Sequence, residues 1–163
     1  MEGSVIELAA ASKLPGAKSP RPGHWENMRV QTQVSFDVAS DVLSPDELEA
    51  RIGMPPSSVM RKASKHVDPP RPVANAWRIG SGLDPDAPLW QHLEALREVV
   101  APVSGRISEL CQGEPAAFLR IVRKFFAAEE QADLGFWLDE PWLAILRQTG
   151  AELDVDEYDF TLE

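Results

Sequence analysis

The sequence predicts an α+β fold, a ferredoxin-like variant with a mainly antiparallel sheet of about five strands and helices packed on one face. Three observations lead there. Arg29–Val38 alternates, with Val30, Thr32, Val34, Phe36 and Val38 on one side and Gln31, Gln33, Ser35 and Asp37 on the other. That is the pattern of a strand with one face on a core and one face solvated. Leu89, Leu93, Leu96, Val100, Val103 and Ile107 recur at steps of four and three, which draws one apolar stripe along a helix. Finally, two segments share a layout of strand, proline-started helix, closing glycine and second strand. Leu43-Ser44-Pro45 with Leu48 and Gly53 parallels Leu138-Asp139-Glu140-Pro141 with Leu143 and Gly150.

Residues 1–28 read as a flexible N-terminal tail, because Pro15, Gly16, Pro20, Pro22 and Gly23 interrupt regular structure; residues 29–163 read as a single α+β domain. Within the tail, Trp25 could dock on the body. After the first strand, Ser44 is an N-cap, Pro45 the first helical residue and Glu47 the third residue of a capping box. Leu48 and Ile52 face inward, and Gly53 with Met54-Pro55-Pro56 ends the helix. Ser57–Val73 is a basic, proline-rich loop, and Asn75–Gly80 a strand presenting Trp77 and Ile79. A turn-rich link, Ser81–Pro88, leads to the long apolar stripe, which Pro102 must kink or break because it lacks a backbone donor.

Ala117–Ala127 is apolar on both faces, Leu119, Ile121 and Phe125 against Phe118, Val122 and Phe126, which suggests a central strand. Glu129–Asp133 reads as a turn. Leu134, Phe136 and Leu138 then alternate as a strand, Asp139 caps a helix carrying Trp142, Leu143, Ile145 and Leu146 on its buried side, and Gly150 closes it. Leu153 and Val155 open a last strand that runs to Tyr158 and Phe160. Its apolar phase slips from odd to even positions, which points to a bulge near Asp156-Glu157.

Composition narrows the function classes. The single cysteine, Cys111, allows neither an intramolecular disulfide nor a cysteine zinc cluster. No apolar run approaches a membrane span, and the N-terminus carries Glu2 and Glu7 rather than a basic leader. The expectation is a cytoplasmic protein without membrane attachment. A net charge of −10 argues against sequence-independent nucleic-acid binding, which needs Lys and Arg on phosphates. The charge is also uneven. From Phe126 to Glu163 one base, Arg147, stands among eleven acids, whereas Arg51–Gly80 sets six bases against Asp68 alone. Asymmetry of this kind bears on partners and solubility.

Several strings resemble a bacterial family, the domain-of-unknown-function family 4279. They are Val34-Ser35-Phe36-Asp37-Val38, the Ser44-Pro45 helix running to Ile52-Gly53, the loop leading to Trp77, and the ending Gly150-Ala151-Glu152-Leu153-Asp154-Val155-Asp156-Glu157-Tyr158. The resemblance spans Val30 to Phe160 and leaves out the tail. The family pattern leads one to expect a lysine-glycine turn before the tryptophan, where Arg61-Lys62-Ala63-Ser64-Lys65 stands here. The resemblance implies the fold and supplies no activity.

The most site-like group is Asp154, Asp156 and Tyr158, which alternation places on one face of the last strand. Two carboxylates so placed could hold a hard cation or share a proton. The plainer reading is a solvated, charge-protected strand. The basic loop carrying Arg61, Lys62 and Lys65 could receive a phosphate or an acidic partner, the plainer reading being a solvated loop. His24, His66 and His92 have no partners at metal or triad spacing and read as surface histidines. Cys111 ends a helix, where the dipole disfavours a thiolate, and is not a nucleophile. No residue reads as catalytic and no metal or cofactor is implied.

The expectation is therefore a non-enzymatic acidic protein-interaction module. Asp154, Asp156, Tyr158, Asp159 and a surface Trp137 would dock a basic protein partner, as an immunity-type inhibitor covering the cationic active site of a nuclease-like toxin would. The alternative is a small-molecule or divalent-metal-binding domain, with a pocket where Asp154 and Asp156 meet Lys62 and Lys65. Dimerisation through sheet edges or Trp137 is the third option.

Overall fold

Strand β1 (Met28–Ser40) is the centre of the molecule. In chain order it is followed by α1 (Pro45–Ile52), β2 (Ser58–Met60), β3 (Asn75–Gly80), α2 (Leu89–Val100), α3 (Ser104–Leu110), β4 (Ala116–Ala127), α4 (Glu140–Thr149) and β5 (Glu152–Asp159). The computed structural model describes residues 28–65, 67, 69, 71–128 and 135–161. The readings of the tail, of Trp25, His24 and His66, and of the turn at 129–133 fall outside them.

The five strands form one sheet in the order β2-β3-β1-β4-β5. All neighbours are antiparallel except β4 and β5, which run parallel and are joined by α4. This is an α+β layering with a mostly antiparallel sheet. Val34, Phe36 and Val38 of β1, Trp77 of β3 and Leu119 and Ile121 of β4 fill one face. Against them pack Leu48 and Ile52 of α1, Leu93, Leu96 and Val100 of α2, Ile107 of α3, and Trp142 and Ile145 of α4. Burying such side chains contributes about 1.5–3 kcal/mol each relative to exposure. The two core indoles also satisfy their N–H groups: Trp77 Nε1 donates to the Met54 carbonyl at 3.0 Å, and Trp142 Nε1 to that of Leu93 at 3.0 Å.

The helix punctuation follows the sequence closely. Ser44 Oγ accepts from Glu47 N at 3.3 Å while the Glu47 carboxylate accepts from Ser44 N at 2.8 Å, a complete capping box. Gly53 ends α1 at φ 71°, a left-handed cap that a β-carbon would strain. Asp139 Oδ1 accepts from Trp142 N at 3.1 Å to start α4; Leu143, expected on the buried side, is exposed, and Trp142, Ile145 and Thr149 are the residues this helix buries. The long apolar stripe breaks at Pro102, where a 3-10 turn over Ala101–Val103 separates α2 from α3.

Three expectations need correction. Gly135–Asp139 forms no strand. Both sides of β4 are already occupied, by β1 and β5, so Phe136 and Leu138 pack on the core as a connection instead. The remaining strand is β2, three residues inside the stretch read as loop; it is mostly exposed, so it carries no apolar alternation. Lastly, β5 has no bulge. Its register with β4 runs unbroken from Phe118↔Glu152 to Phe125↔Asp159. The phase slip has another cause. Tyr158 and Phe160 stack with Phe126, at 6.4 Å between Tyr158 and Phe160 and 5.3 Å between Phe160 and Phe126, as a small aromatic cluster on the face away from the helices.

Candidate functional site

Among the described residues, strand β5 lies at one edge of the sheet and pairs on one side only. Its alternation puts Asp154, Asp156 and Tyr158 together on the helix-free face, as read from the sequence. Asp159 faces the other way and accepts from Thr161 N at 2.9 Å and Thr161 Oγ1 at 2.6 Å. Trp137 stands before α4, 79% exposed, on the helix side. The proposed docking residues are thus divided between two faces.

Asp154 is already engaged. Arg120 Nε donates to it at 2.8 Å and Arg120 Nη1 approaches Asp37 at 3.5 Å. Asp37, with a side chain 3% exposed, accepts a fork from Arg78 at 2.9 Å and 2.5 Å and a hydroxyl from Ser35 at 2.8 Å. The register causes this: Arg78 and Asp37 are cross-strand partners, Ser35 faces Arg120, and Arg120 faces Asp154. A line of charge, Arg78–Asp37–Arg120–Asp154, therefore crosses four strands. Hydrogen bonding to Asp37 holds the Arg78 guanidinium above its ordinary value. Asp154 and Asp156 are not a pair of unengaged carboxylates. Among the described residues, no group of three or more His, Cys, Asp or Glu is placed to hold a metal ion.

The basic loop does not meet them. Arg61 pairs with Asp46 at 3.1 Å and Lys62 with Asp41 at 2.8 Å, while the Lys65 amide donates to the Arg71 carbonyl at 2.8 Å. This loop follows β2, at the edge opposite β5. Four strand spacings, roughly 19 Å, separate the two edges, so the pocket expected between Lys62, Lys65, Asp154 and Asp156 does not form. His92 is also not a surface residue. It is 1% exposed, with Nδ1 2.6 Å from Ser81 Oγ, and burial pushes its pKa down. Burial pushes the half-buried Cys111 thiol up, in keeping with an inert cysteine.

A larger feature lies on the helix side. The helices cover the half of the sheet around Phe36 and Leu119; over the other half opens a cleft of about 990 Å³. Thr32 N donates to the Pro85 carbonyl at 2.7 Å, which brings the link before α2 alongside β1 and sets one rim. The floor is Val30, Thr32 and Arg123; the walls include Leu89, Trp90 and Leu93 of α2 and Phe136 with Trp137. Ion pairs Arg29–Asp86 and Arg97–Asp139 stand among its lining. Arg123 is 2% exposed. Its guanidinium carbon sits 4.9 Å from the Phe125 ring centre and 6.0 Å from that of Phe136, within cation–π range. Nη1 donates to Glu157 at 3.1 Å.

The cleft was missed in the sequence although one signal was present. Arg123 continues the core-facing alternation Leu119, Ile121, Arg123, Phe125. A cation in an apolar phase marks a place where the sheet faces something other than packed side chains.

A family model described as Domain of unknown function (DUF4279) matches residues 30–160. No curated protein and no solved structure matches the chain.

Proposed function

The chain belongs to the DUF4279 family, whose description names no activity, and on that footing we propose that it is a non-enzymatic protein-interaction module receiving a basic protein partner on its acidic edge. One observation carries the reading. Among the described residues no strand pairs with the outer side of β5, and five of its eight residues, Glu152, Asp154, Asp156, Glu157 and Asp159, are acidic. An open edge offers backbone donors and acceptors to an extended segment. Carboxylates along it repel a second copy of the same strand, since like charges directly opposite destabilise pairing. The same carboxylates attract an extended segment rich in Lys and Arg and speed its encounter. In its finer form the proposal is an immunity-type inhibitor that covers the cationic site of a nuclease-like toxin.

The test is affinity capture from a lysate of the source organism, comparing the native chain with a Glu152→Lys/Asp156→Lys variant. Both positions are exposed. Raising salt to about 1 M shortens the Debye length to roughly 3 Å. A basic protein held by the native chain, lost by the variant and released at high salt is the expected result. Equal capture by both chains, or no capture, overturns the proposal.

A further inference from the structure

We propose that the helix-side cleft binds a small organic ammonium ion, with the indoles of Trp90 and Trp137 and the carboxylate of Glu94 as its contacts. The inference stands apart from the acidic-edge reading, because it uses the helix side of the sheet and none of the β5 carboxylates.

The partners of the charges, rather than their number, select the class of ligand. The lining holds three bases, Arg29, Arg97 and Arg123, and three acids, Asp86, Glu94 and Asp139. Each base is already engaged. Arg29 pairs with Asp86 and Arg97 with Asp139. Arg123 pairs with Glu157, which stands outside the lining, and has a further contact. The side chain of Glu94 is exposed and makes no hydrogen bond or ion pair among the described residues. What is left for a ligand to answer is one carboxylate.

Position supplies the rest. Trp90, Glu94 and Arg97 follow at steps of four and three along α2. They share one face of the helix, with neighbouring β-carbons about 5–6 Å apart. Arg97 ties that face to the N-cap of α4 through Asp139, close in sequence to Trp137. Trp137 thus lines the same cleft as Trp90 and Glu94. The two tryptophans are 79% and 57% exposed, Trp137 the more so. The face of an indole attracts a cation through its ring quadrupole, and quaternary ammonium ions are recognised by aromatic groups in this way. A single carboxylate is too few for a hard metal ion, which takes about six oxygens. Leu89, Leu93 and Phe136 line the same space and offer the carbon substituents of the ion an apolar surface. A volume of about 990 Å³ lies within the range of small-molecule sites.

The test is calorimetric titration of the full chain with (4-hydroxymethylphenyl)trimethylammonium and its uncharged isostere 4-tert-butylbenzyl alcohol, which has carbon in place of the charged nitrogen. The ammonium should saturate at one site and bind about tenfold tighter than the isostere. Glu94→Gln should abolish that preference while leaving the isostere unchanged. Glu98→Gln removes the same charge from α2 outside the cleft lining and should keep the preference. Trp90→Ala and Trp137→Ala should each weaken the ammonium about threefold. Near-UV circular dichroism establishes that each variant, all at exposed side chains, is folded. No binding of the ammonium, equal affinity for the two probes, an unchanged preference in Glu94→Gln, an equal loss in Glu98→Gln, or full binding after loss of both indoles overturns the proposal.

Discussion

Strand β4 sends Arg120 and Arg123 to opposite faces of the sheet, and each finds a carboxylate on β5, Asp154 for the one and Glu157 for the other. The two arrangements are inverted. On the helix-free face the buried group is an acid, Asp37, held between the partly exposed Arg78 and Arg120. On the helix side the buried group is the base, Arg123, and the acid reaches water. The first is a closed lattice in which the buried charge has several partners within the sheet. The second sits at the floor of an open cleft. One β4 arginine paired with one β5 carboxylate thus belongs to a closed lattice on one face and sets a buried base at the floor of an open cleft on the other.

The largest effect should come from breaking the closed lattice at its buried member. Asp37→Ala removes the acceptor of the Arg78 fork and of the Ser35 hydroxyl. Breaking a buried pair costs about 3–5 kcal/mol. The two arginines are about a third exposed and can regain water, so about 3 kcal/mol is expected. Urea denaturation should show the midpoint falling with the slope unchanged. A loss below about 1 kcal/mol would mean that the lattice is held mainly by its exposed members.

A buried histidine whose burial outweighs the nearby Asp84 charge sharpens the contrast. His92 lies 1% exposed beside Ser81, and its folded pKa is pushed below its ordinary 6.5. The unfolded chain therefore binds the proton more readily than the folded one. This contribution is fully present above about pH 6.5 and is lost as pH falls through that value toward the folded pKa, at no more than about 1.4 kcal/mol per pH unit. Denaturation midpoints measured from pH 8 to pH 5 should show that slope. His92→Gln should flatten this part of the profile; an unchanged slope would assign it to other groups.

The contrast between faces also marks what could be read from residue order. Local chemistry was legible: the alternation of β1, the Ser44–Glu47 box, the left-handed caps at Gly53 and Gly150 (φ 69°), and the break at Pro102. Each depends on neighbours within a few residues. Cross-strand company was not legible. Alternation put Asp154 and Asp156 on one face, but that Arg120 faces Asp154 depends on a register joining segments 34 residues apart. Leu134–Leu138 alternates like a strand, yet strand formation needs an open edge, and β4 has none. The slip at Tyr158 looked like a bulge because a second aromatic cluster on the far face, with Phe126 and Phe160, was not anticipated.

The helix caps give a smaller test of the same distinction between local and long-range partners. Ser44 is satisfied within its own helix turn by the reciprocal bonds with Glu47. Ser44→Ala should cost about 1 kcal/mol by thermal or urea denaturation. Asp139 differs, since it caps Trp142 and also pairs with Arg97 of α2 at the cleft. Asp139→Ala should exceed Ser44→Ala, because two elements lose a common anchor; equal losses would show that the Arg97 pair adds nothing.

The smallest effect is expected at Asp154. It is more than a third exposed, at the sheet edge, and Arg120 keeps Asp37 as a second partner when it is gone. Exposed pairs contribute about 0.2–1 kcal/mol, so Asp154→Asn should cost less than about 1 kcal/mol, and a double-mutant cycle with Arg120→Met should give a coupling of about 0.5 kcal/mol. The value matters beyond its size. A weak coupling means that the lattice is anchored at Asp37 and that the acidic edge can be altered without disturbing the sheet. A coupling well above 1 kcal/mol would make Asp154 part of the scaffold. The carboxylates available to a basic partner would then be those that the register leaves to solvent, Glu152 and Asp156, the two that the charge-reversal capture experiment changes.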